Sequence, residues 1–113
     1  MTTVTIGIAT LDESLDRARR ALSGEGQGNF ISFASHETML KTLTTKRWEL
    51  VKTMAGAGPM SIRETSRRVK RDVKSVHGDV QALIKAGVID RTDDGQIVFP
   101  FDEIHVDFVV RAA

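Results

Sequence analysis

A chain of 113 residues with 41% apolar and 27% charged side chains can bury one modest core and has an ordinary globular composition. It has no cysteine, which excludes disulfides and thiolate metal sites, and His36, His77 and His105 are too scattered to form a metal site by spacing. No cofactor or metal is expected. No stretch approaches the roughly 18 unbroken apolar residues of a membrane span, and the opening MTTVTIGIATLDESLDR lacks the basic and apolar regions of a secretion signal, so a cytoplasmic chain without membrane contact is expected. The net charge is only +1, but residues 1–40 carry −2, 41–60 carry +3, 61–91 carry +4 and 92–113 carry −4. Such segregation suits a basic surface for a polyanion and an acidic region that faces away or meets a protein.

In chain order, Val4, Ile6 and Ile8 alternate with Thr5 and Gly7, which predicts a strand over 3–9. A helix follows from Asp12, with Leu11, Leu15, Ala18 and Leu22 as one apolar stripe on an otherwise charged cylinder. SGEGQG at 23–28 reads as a flexible break, 29–33 as a second strand, and Ser35 as the cap of a short helix through Leu40. From Thr44 a longer helix is predicted, with Trp48, Val51, Met54 and Ala55 inward and Lys46, Arg47, Glu49 and Lys52 outward. Gly56, Gly58 and Pro59 end it.

Ser61 followed by Glu64 is a capping box, so a helix is predicted from there to about Val69. Asp72 caps the next helix, which stops at Gly87, a residue suited to the left-handed turn after a helix end. Val73, Val76, Val80, Leu83 and Ile84 form its core side, while Lys74, Ser75, Gly78, Ala82 and Lys85 lie opposite. The segments 88–91 and 96–99 flank TDDG, where Asp94-Gly95 signals a hairpin. After Pro100, the alternation of Ile104, Val106, Phe108 and Val110 predicts a last strand.

Two helices joined by a tight turn and followed by a hairpin make an α+β winged helix-turn-helix, here with an N-terminal strand-helix-strand extension and a C-terminal strand. The domain boundaries read as 1–43 for the extension, 44–100 for the DNA-binding unit and 101–113 for the last strand, a dimer or partner contact. A major groove about 12 Å wide accepts one α-helix, and the second helix of such a pair reads base edges. On it, Lys74 can donate to guanine, Ser75 to either base type, and Gln81 can pair with adenine. His77 stands at the border between core and outward face. Gly78 costs roughly 1 kcal/mol relative to alanine in a helix interior, yet with Ala82 it makes a low strip that lets the helix seat deeply.

Arg63, Arg67, Arg68, Lys70 and Arg71 precede this helix, Lys85 ends it and Arg91 begins the wing; these seven are the phosphate-binding candidates. Glu64, Asp72 and Asp79 are the acids able to engage some of them internally instead. Residues 61–91 contain no Phe, Tyr or Trp, so base stacking on single strands is disfavoured.

The stretch 43–108, above all LTTKRWEL, RDVKSVHGDVQAL and PFDEIHVDF, resembles a family of small prokaryotic transcriptional regulators related to the MarR-type winged helices. The resemblance implies a helix-turn-helix over 62–86, with Arg71, Lys74 and His77 in the reading motif. Relatives often sit beside a small toxin, which implies an antitoxin or self-repressing role. Thr65 and Ser66 stand where Leu and Ala are expected, Lys70 replaces the usual turn glycine, and Gly78 replaces a larger residue.

The function expected is a sequence-specific, double-stranded DNA-binding repressor acting as a homodimer through its first and last strands. The alternative is an antitoxin whose Asp102, Glu103 and Asp107 cover a basic toxin. An enzyme is not expected: there is no nucleophile elbow, no phosphate loop after a strand and no isolated carboxylate pair.

Overall fold

The computed structural model describes residues 2–24, 28–110 and 112, so the middle of the glycine-rich break lies outside the described residues. The described residues form a mixed α+β fold of five helices and short strands. Strand β1 (Thr3–Ile8) is followed by helix α1 (Leu11–Leu22) and strand β2 (Asn29–Phe33). Four helices come next: α2 (His36–Thr42), α3 (Thr45–Met54), α4 (Ile62–Val69) and α5 (Val73–Lys85). The hairpin β3 (Asp90–Arg91) and β4 (Ile97–Val98) then leads to β5 (Glu103–Asp107).

The three longer strands form one sheet in the order β2-β1-β5, parallel throughout, with Val4 opposite Asn29 on one side and Ile104 on the other. This corrects the expectation that the first strand is a surface seeking a partner edge, whereas the last strand keeps its outer edge free. They pair with each other, β1 is central, and the last strand is part of the sheet begun at the other end of the chain. The join is reinforced where the Thr2 amide and hydroxyl both donate to Asp102 Oδ2 at 2.9 and 3.1 Å.

Period-two alternation divides the residues of this sheet between its faces. Val4, Ile6, Ile31 and Phe33 are buried toward α2 and α3 and share one core cluster with Met39, Leu50, Val51 and Met54. The other face carries Thr5, Gly7, Phe30, Ser32 and His105 and meets α1 through a polar residue: Arg17 lies 3.9 Å over the Phe30 ring and donates to Ser32 Oγ at 3.2 Å. The apolar stripe of α1 remains outside the core, and none of the residues of that helix is buried.

In the helical half, Leu50, Val51 and Met54 of α3 pack with Val76, Val80 and Leu83 of α5, all six fully buried. Two orientations differ from expectation. Val73, in the first turn of α5, is 41% exposed because the core lies one turn further on, and Arg47 points inward to an acid on α5. The hairpin is shorter than predicted but gains a bridge, with Met60 and Ile97 exchanging backbone hydrogen bonds of 2.9 and 2.8 Å. Phe99 and Phe101 close the route to β5 edge to face, with centroids 5.2 Å apart.

Gly7 marks the tightest contact of the sheet, since a Cβ added there would sit 2.6 Å from the Asp107 carbonyl oxygen. That atom is backbone and cannot swing aside. Gly7→Ala should therefore lower stability by about 1–3 kcal/mol, read as an earlier midpoint in urea unfolding, with far-ultraviolet circular dichroism of the folded state little changed.

Candidate nucleic-acid interface

Each helix around the turn starts on a side-chain cap. Thr44 Oγ1 accepts from the Arg47 amide at 3.4 Å, Ser61 Oγ from Glu64 at 3.0 Å and Asp72 Oδ2 from Ser75 at 2.9 Å, so donors that a helix start leaves unpaired are satisfied. The Asp72 carboxyl is held below its usual range by that Ser75 amide and, next, by the Ser75 hydroxyl. The capping box is half-formed, because Glu64 turns its carboxylate to Arg67 and Arg68.

The turn between α4 and α5 accommodates all of the departures noted there. Thr65 is fully buried and donates to the Ser61 carbonyl at 2.9 Å, while Ser66 donates to the Arg71 carbonyl. Polar residues replace apolar ones at these two positions without leaving a hydroxyl unpaired. Lys70 adopts φ 58°, ψ 46°, the left-handed conformation that glycine takes without steric cost. At the far end of α5, the Gly87 amide reaches the Ile84 carbonyl at 3.0 Å and the Val88 amide reaches Leu83 at 2.9 Å, with Gly87 at φ 79°, a complete Schellman closure.

The outward face of α5 is open. Lys74, Ser75, His77, Gly78, Gln81 and Lys85 are all exposed, and Ala82 is half-buried. His77 thus lies on the outward side. Lys74, Gly78, Gln81 and Lys85 fall within an arc of about 60° at 100° per residue. A Cβ added to Gly78 would meet nothing within 4 Å, so no neighbour within the protomer requires a glycine there.

The candidate cations separate into three groups. Arg63, Lys70, Lys74, Lys85 and Arg91 are exposed, and none of them forms an ion pair among the described residues. Arg67 and Arg68 converge on the single carboxylate of Glu64, leaving a net positive cluster. Arg71 departs from its expected role on the outer surface. Its side chain is 18% exposed, its Nη2 binds Asp79 Oδ2 at 2.7 Å and its Nη1 is enclosed without a partner.

Asp79 takes a second arginine through its other oxygen, Arg47 Nε at 3.0 Å, and Arg47 Nη1 donates on to the Thr42 carbonyl at 3.1 Å. Burial pushes the Asp79 carboxyl up, but the hydrogen bonds from Arg71 and Arg47 outweigh it and hold the group below its usual value. One acid on α5 therefore fixes α3, the turn and the end of α2. An acid able to engage Arg71 was visible in the sequence, whereas the Arg47 contact was missed. Opposite charges 32 positions apart carry no local signal.

The hairpin turn is closed from Thr92, whose amide reaches the Gln96 carbonyl at 2.8 Å and whose carbonyl accepts from Gly95 at 3.0 Å, with Gly95 at φ 83°. Its tip is acidic, with Asp93 and Asp94 exposed and Arg91 at the base of the hairpin. The Asp94 carboxyl, held down chiefly by the Thr92 hydroxyl, stays charged.

Among known proteins, the model of a family described as HVO_A0114 matches residues 42–106, more than half of the chain. The chain belongs to that family. No curated protein matches. Among solved structures, the crystal structure of a multiple antibiotic-resistance repressor (MarR) from Listeria monocytogenes 4b F2365 is similar at a TM-score of 0.49 and 16% identity over 80% of this chain. The match spans 59% of that structure's chain.

Asp79→Asn should destabilise the protein by an amount between the roughly 1 kcal/mol of an exposed ion pair and the roughly 3–5 kcal/mol of a broken buried one. Because the folded carboxyl titrates below its unfolded value of about 3.9, its stabilisation is complete above that pH and is lost as pH falls through the folded value. Thermal melts from pH 7 to 2.5 should show the gap between wild type and variant closing on the acid side.

Proposed function

We propose that this protein is a winged helix-turn-helix regulator that binds double-stranded DNA in a sequence-specific manner and acts as a homodimeric repressor. The unit at 44–100 carries the DNA contact, with α4 bracing α5 in the major groove. The observation that carries this reading is the outward face of α5, where Lys74, Gln81 and Lys85 surround Gly78 and no protein atom fills the space above it. A glycine that costs helix stability and serves no contact within the protomer is accounted for by a surface that must approach its ligand closely.

Lys74, Ser75, His77 and Gln81 then read base edges, Gly78 sets the depth, and Arg63, Lys70, Lys85 and Arg91 hold phosphates. Arg67 and Arg68 contribute through the excess charge they leave around Glu64. Arg71 instead shapes the turn. The acidic tip of the hairpin would be repelled by the backbone, so its contact is through Arg91 rather than Asp93 or Asp94. One reading helix covers few bases, and a two-fold pair supplies half-sites about one helical turn apart.

The antitoxin reading gains no comparable support. Of the three acids assigned to a toxin, Asp102 is held by Thr2 and Glu103 accepts from the Thr3 hydroxyl at 3.2 Å.

Selection of genomic fragments by the purified protein at a stated salt concentration tests the proposal, and equal retention of selected and random fragments refutes it. On a selected fragment, Lys74→Ala should relax preference at one position by about 1–3 kcal/mol. Arg63→Ala should weaken all sequences alike and reduce the salt slope by about one contact. Gly78→Ala gives the sharpest contrast: helix stability should rise by about 1 kcal/mol while affinity falls about tenfold, as compared by thermal melts and gel shifts on the same preparation.

A further inference from the structure

Helix α1 is amphipathic, yet the leucines of its apolar stripe face neither the sheet nor the helical core. Leu11, Leu15 and Leu22 are 75, 52 and 91% exposed; the side of the helix turned to the sheet carries Ser14, Arg17 and Ala21, and Ala18 stands at the border of the two sides. The stripe has a definite form. Leu11, Leu15, Ala18 and Leu22 are spaced four, three and four apart and lie within an arc of about 60°, the spacing of a seam between two helices rather than of a helix on a sheet.

We propose that the stripe pairs with its own copy in a second protomer, the two α1 helices running antiparallel about a two-fold axis. The seam rests on the dimeric part of the function proposed above and names the surface that makes it. Charge decides both the partner and the direction. Asp12, Glu13 and Asp16 occupy the first half of the helix, Arg19 and Arg20 the last turns. A parallel pair sets acid beside acid and base beside base. An antiparallel pair places Asp12 next to Arg19 of the copy, twice by symmetry, and neither residue has an ion-pair partner among the described residues. Leu11 then layers on Leu22 of the copy, and Leu15 on Ala18.

The seam is about 18 Å long and supplies roughly half of the ~800 Å² per partner of a standard interface. The dimer it forms is accordingly concentration-dependent, and two adjacent half-sites on one duplex would consolidate it.

The chain has no cysteine, so disulfide trapping has no background. Leu11→Cys and Leu22→Cys are prepared separately and oxidised alone, mixed, and beside an exposed α3 control, Lys46→Cys, all without DNA. The expected result is a mixed dimer from the 11 and 22 variants at about ten times the yield of either alone. Self-crosslinking of Leu11→Cys as strong as the mixture indicates parallel helices and overturns the proposal. Yields no better than the control, as follow if copies meet through the free edge of β2 or of β5 or not at all, also overturn it.

Sedimentation gives a second reading. Asp12→Arg and Arg19→Asp should each lower the dimer fraction severalfold, and the chain carrying both should recover it, with circular dichroism confirming that α1 is retained. A double variant no better than the worse single one overturns the proposal. Because trapping and sedimentation need no DNA, a failed seam leaves fragment selection intact, and a failed selection leaves the seam intact.

Discussion

The arrangement of the helical half depends on one carboxylate. Asp79 offers one oxygen to Arg47 of α3 and the other to Arg71 of the turn, and Arg47 continues to the carbonyl of Thr42. Packing among Leu50, Val51, Val76, Val80 and Leu83 draws α3 and α5 together but is tolerant of small rotations, whereas a carboxylate held on both oxygens specifies one angle and one register. This contact also removes two guanidinium groups from the surface. The positive face that remains is what Asp79 and Glu64 leave unneutralised, so the Asp79 contact both orients α5 and withholds Arg71 from the surface.

Around that anchor the turn is made of departures from an apolar pattern that support one another. Buried Thr65 and Ser66 spend their hydroxyls on the Ser61 and Arg71 carbonyls. Lys70 accepts a left-handed backbone that glycine would take more readily and carries a charge out to solvent. A residue kept in a costly conformation next to an outward basic face is consistent with its side chain being worth more than the strain.

What could be read from the sequence is what is encoded locally. Ser35, Thr44, Ser61 and Asp72 each announce a helix within four residues, Gly87 and Gly95 announce left-handed turns, and all of these elements stand close to where their signals place them. What could not be read is non-local. Nothing in Val4 or Ile6 says that the partner strand lies 100 positions on, and nothing in Arg47 says that it meets Asp79. Helical periodicity marked the stripe of α1 and the core side of α5, but periodicity tells which residues share a face, not what the face meets. Val73 and the three leucines of α1 are therefore visible as apolar and mislead about burial. The outward positions of α5 were more legible, because a helix with one strongly apolar arc leaves little choice for the opposite one.

The parallel sheet has a consequence for the helices it holds. Everything from α2 to the hairpin is inserted between β2 and β5, which flank the same central strand. With neighbouring strands about 4.8 Å apart and a rise of about 3.3 Å per residue, the parallel register that sets Phe33 beside Ile8 and Glu103 beside Thr3 pins the two ends of the inserted unit roughly 19 Å from each other, at opposite ends of the sheet. The sheet acts as a socket, and the helical unit as a plug whose entry and exit points are set by strand spacing and strand length. Sequence change within the plug can proceed without disturbing the socket so long as that separation is kept, which makes the outer faces of the helices the part of this architecture most free to diversify.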